Sequence, residues 1–370
     1  MLFALCGLAS GIFNGNSLSV TVLGTFDYLK NFLVIFIYAA FFRDAYKLKK
    51  IFNLLLKVAV LLGIVALMQF AWAMTSVHIF GKEIADKSVY IFTAAPVNDV
   101  DEIWRNGIFR APSLTYHNYI LGLFNLLIFT IYAFTAVRVE VKTLIPVVFG
   151  VISSVARMAY GGFIFVVSML VFRRHKRFLP VLLCVLLVMS SIIIFYYSSQ
   201  VEWITDLRGL QDQVKSDYEN IRLYSMLKSL EIWQDHPNLG VGPGTFGGAT
   251  AFKYNSSVNR VYNVKLGYLE KIGSIELFWF QILAEMGIAG ALLFFNLIIF
   301  LFLMLYKLRE QTVSHDMKNL FSALIVFIPC ILIYTIGSGI NIAPVFFTYC
   351  AFVGIGMGCR DDQRTEEITD

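Results

Sequence analysis

What this chain can fold into is limited first by a succession of apolar stretches, many near the length of a membrane crossing, separated by short charged breaks. A helix needs roughly 20 mostly apolar residues to cross a bilayer, and each backbone polar group must find its partner inside its own segment. Read this way, residues 2–22, 28–42, 51–74, 116–136, 143–156, 159–172, 178–197, 286–306, 319–336 and 342–358 are expected spans. The expected fold class is all-α: a polytopic transmembrane helix bundle of about ten spans with a large extracytoplasmic loop domain. Composition agrees, since 58% of the 370 residues are hydrophobic and only 15% charged, a balance foreign to soluble domains of this length.

Charge then orients the chain. Basic residues gather at Arg43, Lys47, Lys49 and Lys50, at Arg138 and Lys142, at Arg173, Arg174, Lys176 and Arg177, and at Lys307, Arg309 and Lys318. Placing every cluster in the cytoplasm is consistent with the span count and puts both termini inside. The expected division is residues 1–197 as an N-terminal transmembrane bundle with an outer segment at about 75–115, 198–275 as the large extracytoplasmic loop, 276–358 as C-terminal helices, and 359–370 as a cytoplasmic tail. The net charge of +5 is spread over short clusters, which argues against a nucleic-acid partner. Cys6, Cys184, Cys330, Cys350 and Cys359 sit in or beside apolar segments without paired spacing, so free buried thiols are expected. The apolar start at Leu2 has neither a basic leader nor a cleavage site, and the first segment is expected to remain as a helix.

Within residues 198–275, eight acidic and eight basic side chains balance, but after His236 four basic residues, among them Lys253 and Arg260, face Glu270 alone. That local positive field suits a phosphate-bearing substrate at the membrane surface, or is simply a solvated loop. Arg222 to Trp233 carries apolar residues near helical spacing and reads as an amphipathic helix ending before Pro237. The turn that follows, His236-Pro237-Asn238-Leu239-Gly240-Val241-Gly242-Pro243-Gly244-Thr245-Phe246, is rich enough in glycine for close backbone approach. Gly242, Gly244 and Gly247 also satisfy a dinucleotide pattern, but no strand precedes them, and a structural turn is the preferred reading. Amides of the turn cradling a phosphate is the other reading. Arg157 stands between two apolar runs, where a cation either serves a site or snorkels to headgroups. No zinc-type spacing, phosphate loop or nucleophile elbow is present in the sequence, so neither metal nor cofactor is expected.

The arginine at 222, the tryptophan at 233 and the His-Pro-x-x-Gly-x-Gly-x-Gly-x-Phe turn resemble the signature of the O-antigen ligase and polymerase superfamily. Arg157 matches in part the family's Ser-Arg-small motif, with Ala156 in place of serine. The block from Ser274 to Gly290 resembles the family's His-Asn-x-Tyr-Leu-x-x-Leu-Ala-Glu-x-Gly-x-x-Gly, with Glu276 standing where ligase-type members carry histidine. Glu276 could act as general base toward a sugar hydroxyl, or only complement a helix dipole. Glu285 could pair an arginine or join the site, and His117 and Asn118 could line the same vestibule or merely hydrogen-bond there.

The resemblance implies a multi-pass protein of the inner (cytoplasmic) membrane, active at the periplasmic or outer surface, that transfers glycan from an undecaprenyl-diphosphate-linked donor to a glycan acceptor. Membrane lipid is then a partner, and a chain-length regulator a further one. Arg157, Arg222 and Glu276 are the implied catalytic residues; His236, Gly240, Gly242, Gly244, Lys253 and Arg260 are the implied binding residues. Glutamate at 276 favours a polymerase of repeat units. A ligase to a lipid core or protein, and a lipid-linked oligosaccharide flippase, are the alternatives.

Overall fold

The computed structural model describes residues 1–80, 104–105, 108–115, 117–136, 139–174, 218–254, 256–264, 277–336 and 343–369. The expected span 178–197 lies outside the described residues, as do residues 81–103, 198–217 and 265–276 of the two polar segments. Among the described residues the chain is helical apart from one two-residue antiparallel pair, β1 (Trp104–Arg105) with β2 (Ile108–Phe109). The helices are α1 (Leu2–Phe13), α2 (Leu18–Phe41), α3 (Ala45–Phe80), α4 (Asn118–Thr135), α5 (Val141–Ser153), α6 (Arg157–Arg174), α7 (Tyr218–Asp235), α8 (Ala249–Lys253), α9 (Ser257–Val261), α10 (Phe278–Gln311), α11 (His315–Thr335) and α12 (Ala343–Thr369).

Five of these, α2, α3, α4, α10 and α11, are long and apolar enough to cross a membrane; α1, α5 and the Pro344–Cys359 part of α12 are shorter apolar helices. The expected first span, 2–22, is two pieces. The chain turns at Asn14-Gly15-Asn16-Ser17, with Gly15 at φ +66°, and α2 begins at Leu18. A helix of 12 residues is about 18 Å long, well short of the roughly 30 Å hydrocarbon layer. Apolarity alone hid this, because the turn is polar in only three residues.

The chain divides into two compact units: Met1–Lys30, Ser168–Phe300 and Thr335–Asn341 form one, and Asn31–Val167, Leu301–Tyr334 and Ile342–Asp370 the other. In the second unit α4 is buried on nearly every side from Leu121 to Phe134, as befits a helix that is apolar all round. Against it pack α3, α5 and α12. Residues 111–113 after β2 are non-helical and buried, so their backbone needs partners within the protein. Gln69 in α3 is one: its amide donates to the Ser113 carbonyl at 3.1 Å and accepts from the Ser113 N–H at 2.8 Å. The Ser113 hydroxyl donates to the Leu62 carbonyl at 2.6 Å. Of the cysteines, Cys330, Cys350 and Cys359 are buried and Cys6 half-buried, none of the four in a disulfide; Cys184 lies outside the described residues.

The α2–α12 crossing shows how these helices associate. Lipid tails are as apolar as leucine, so close van der Waals approach at small residues holds membrane helices together. Gly354 and Gly358 are one turn apart on α12. A Cβ on the first would stand 2.4 Å from the Ile35 carbonyl oxygen, and on the second 2.0 Å from that of Phe42. Gly358→Val is therefore expected to force α12 off α2 and lower the thermal midpoint of the detergent-solubilised protein, read by fluorescence-detected size exclusion. An unchanged midpoint would refute this crossing.

Candidate functional site

The glycine-rich turn lies in the first unit, between α7 and α8, and its geometry follows from a break in α10. Gly287 has φ +63° and ψ −166°, which interrupts the helical ladder after the Leu283-Ala284-Glu285 motif. In an apolar setting the freed carbonyls and amides need partners from another irregular backbone. The turn supplies them. Val241 and Gly242 N–H donate to the Ala284 and Glu285 carbonyls at 3.0 and 2.7 Å, while Ile288 and Ala289 N–H donate to the Pro237 and Asn238 carbonyls at 2.9 and 3.2 Å.

Such contact leaves no room for a Cβ at two positions. One on Gly240 would lie 2.4 Å from the Glu285 carbonyl carbon, and one on Gly287 2.4 Å from the backbone of Asn238. Positive φ at Gly240, Gly242 and Gly244 gives the turn its winding. The two blocks that carry the family resemblance are thus the two halves of one backbone joint.

Glu285 closes the joint. Its side chain is fully buried. One carboxyl oxygen accepts from the Tyr28 hydroxyl at 2.7 Å and the other from the Phe246 N–H at 2.9 Å. Among the described residues its hydrogen-bond partners are thus a tyrosine and a backbone amide. Tyr28 is held by an aromatic cluster with Phe3, Phe278 and Phe294, ring centroids 4.8–6.4 Å apart.

From its other side the turn is gripped by the α1–α2 hairpin. Ser10 donates to the Leu239 carbonyl, Asn14 to that of Gly240 at 2.9 Å, and Asn16 to that of Val241 at 2.7 Å. Thr250 at the start of α8 donates to Asp27 at 3.0 Å, and Lys30 pairs the same carboxylate at 3.0 Å. The sequence reading took residues 2–22 as one apolar span and missed these residues. The one visible signal was the polar side chains Ser10, Asn14, Asn16 and Asp27 in an otherwise apolar stretch.

The amides of Gly240 and Gly242 bond inside the protein, to the carbonyls of His236 and Glu285. The turn thereby acts as a mount for what flanks it. His236, directly after α7, is half-buried; its N–H donates to Ile232 and its carbonyl accepts from Gly240, each at 3.0 Å. Arg222 falls on α7, four residues from its start; its side chain lies outside the description, as does Glu276 entirely. Lys253 and Arg260 are exposed on α8 and α9. These helices are tied to α7 by an apolar core of Ile232, Phe246, Val258 and Val264 and by the Tyr262 hydroxyl, which donates to Asp235 at 2.9 Å. Burial, reinforced by that bond, pushes the Tyr262 phenol up to about 12, so it stays a donor through the physiological range.

Arg157 belongs to the second unit, exposed at the first residue of α6. The bend before it is held by side chains. The Asn118 amide donates to the Ser154 carbonyl at 2.6 Å, the Ala111 N–H to the Ser153 carbonyl at 2.9 Å, and Val155 adopts φ +48°. His117 stacks on Tyr119 with centroids 4.8 Å apart. Among the described residues no group of three or more His, Cys, Asp or Glu side chains could hold a metal ion.

Replacing Glu285 by leucine orphans the Tyr28 hydroxyl and the buried Phe246 amide, each costing about 1–3 kcal/mol, so Glu285→Leu is expected to yield little folded protein. Glu285→Gln keeps one acceptor oxygen for the amide and turns its NH₂ to the Tyr28 hydroxyl, which can accept. It should fold with a modestly lower thermal midpoint; equal midpoints for the two variants would refute the keystone role.

Residues 143–295 match a family model described as O-Antigen ligase. No curated protein matches the chain. The matched segment runs from α5 through Arg157, α7 and the glycine turn to the break in α10, the same blocks whose sequence carries the resemblance. Over residues 143–295 this chain is therefore similar to the O-antigen ligase family, which supports the resemblance to the ligase and polymerase superfamily.

Proposed function

We propose that the protein polymerises undecaprenyl-diphosphate-linked oligosaccharide repeat units into surface polysaccharide at the outer face of the inner membrane. The observation that carries this reading is the joint between residues 237–246 and 284–289, which fixes α7, bearing Arg222, to α10, whose first residue, Phe278, follows Glu276 by two positions in the sequence. The family match supports a glycosyltransferase acting on a lipid-linked glycan.

In this mechanism the acceptor hydroxyl oxygen attacks the anomeric carbon of the donor sugar. The bond from that carbon to the carrier diphosphate breaks, the diphosphate leaves with the electron pair, and the hydroxyl proton passes to the Glu276 carboxylate. Arg222 stabilises the charge growing on the leaving diphosphate, and Arg157 is the second residue for which the family resemblance implies that role. Arg157 opens α6, where a helix attracts an anion and repels a cation unless one is bound. His236 shapes the pocket, the glycine turn holds the pocket's walls, and Lys253 and Arg260 concentrate the anionic carrier. A chain-length regulator would act on the same product.

The description of the matching family model favours the ligase as second reading. The same experiment separates the two. In a deletion strain complemented with Glu276→Gln, Arg157→Ala or Arg222→Ala, long polymer on surface-polysaccharide gels should fall about 100-fold or more, with protein at wild-type level and a core bearing one repeat unit. Polymer building up on the carrier lipid with a bare core would mean ligase. A wild-type ladder in all three variants would overturn the assignment of these residues.

A further inference from the structure

The two short helices after the glycine turn lie at a definite depth along a membrane-crossing helix. α2 has 24 residues, about 36 Å against a hydrocarbon layer of roughly 30 Å. A Cβ on Gly24 would touch the Pro243–Gly244 backbone at 2.3 Å, and Thr250 bonds Asp27 at 3.0 Å. Those residues are six and nine positions from Leu18, or about 9 and 13 Å down the helix. The chain from Pro243 to Thr250 thus packs along the N-terminal half of α2, buried against α1, α2 and α10, and α8 starts beside Asp27 and Lys30, the two charged residues of α2, which are expected at headgroup level.

α8 and α9 have two faces there. Thr250, Ala251, Val258 and Asn259 are buried, whereas Lys253, Tyr254, Ser257, Arg260 and Val261 are exposed. Val261 is 76% and Tyr254 43% exposed, high values for apolar and aromatic groups at this depth. The Lys253 ammonium sits 5.7 Å from the Tyr254 ring centroid. Between Gly248 and Val264 there is no acidic residue. Among the described residues the nearby carboxylates are engaged, Asp27 by Thr250 and Lys30, Asp235 by Tyr262, and Glu231 by Lys228. Apolar and aromatic groups beside snorkelling cations form the pattern of a segment lying in the interface.

We propose that α8 and α9 are an interfacial foot: Val261 and Tyr254 enter the headgroup–acyl boundary, and Lys253 and Arg260 pair with the phosphates of anionic lipids. The foot would hold the glycine turn at the height where a lipid-borne diphosphate travels. This rests on the membrane reading of α2 and is independent of the transfer reaction.

The test is spin-labelling of Val261→Cys and, separately, Ser257→Cys in the full-length protein in phosphatidylglycerol bilayers, with the wild-type label signal subtracted. At both positions collision with molecular oxygen should exceed collision with a water-soluble nickel chelate. Equal or greater nickel collision would overturn the proposal and leave the face open to a glycan or protein. Adding Lys253→Ser and Arg260→Ser should raise relative nickel access at 261 about fivefold in phosphatidylglycerol, with little change in phosphatidylcholine. No difference between the two lipids would overturn the phosphate pairing. Neither result depends on whether the protein makes polymer, so the foot and the proposed function fail separately.

Discussion

The fully buried carboxyl group of Glu285, with Tyr28 on one oxygen and the Phe246 amide on the other, is the contact on which the first unit depends. It exists because α10 is broken at Gly287. A helix interrupted in an apolar environment exposes amides and carbonyls that lipid cannot satisfy. Only a second irregular backbone at very short range can repair the ladder, and glycine makes that range accessible. The His-Pro turn and the Leu-Ala-Glu-x-Gly block are therefore one structural device.

Two consequences follow for function. The joint is gripped from both sides, by α10 and by Ser10, Asn14 and Asn16 of the N-terminal hairpin, so α7 leaves it in a defined direction. The amides of Gly240, Val241 and Gly242 are also consumed in holding it together, so under the proposed function recognition of an anion falls to side chains on the flanking elements. Under that proposal a rigid mount for a guanidinium suits a diphosphate leaving group, since positioned charge is most effective when it need not reorganise.

The second unit meets the same apolar solvent differently. Gln69 reads the backbone of Ser113 as another peptide would, and Asn118 takes the Ser154 carbonyl before Arg157. Close crossings such as Gly354 and Gly358 against α2 supply the packing. In both units, polar side chains inside apolar helices serve backbone that is not helical.

By itself the sequence determined the solvent and the family resemblance. Apolar length is a one-dimensional property, so an all-helical chain with membrane-spanning segments was legible, and contiguous motifs such as residues 236–246 survive without a fold. The amphipathic reading of residues 222–233 fell within a real helix for the same reason. Tertiary structure alone decided the rest. Whether residues 2–22 cross as one helix depended on what Asn14 and Asn16 bind, which lies more than 220 residues away. The role of Glu285 depended on Tyr28, 257 positions distant. Pairings of that separation leave no periodicity in a single chain, because a hydrogen bond across the fold constrains two points in space and nothing in between.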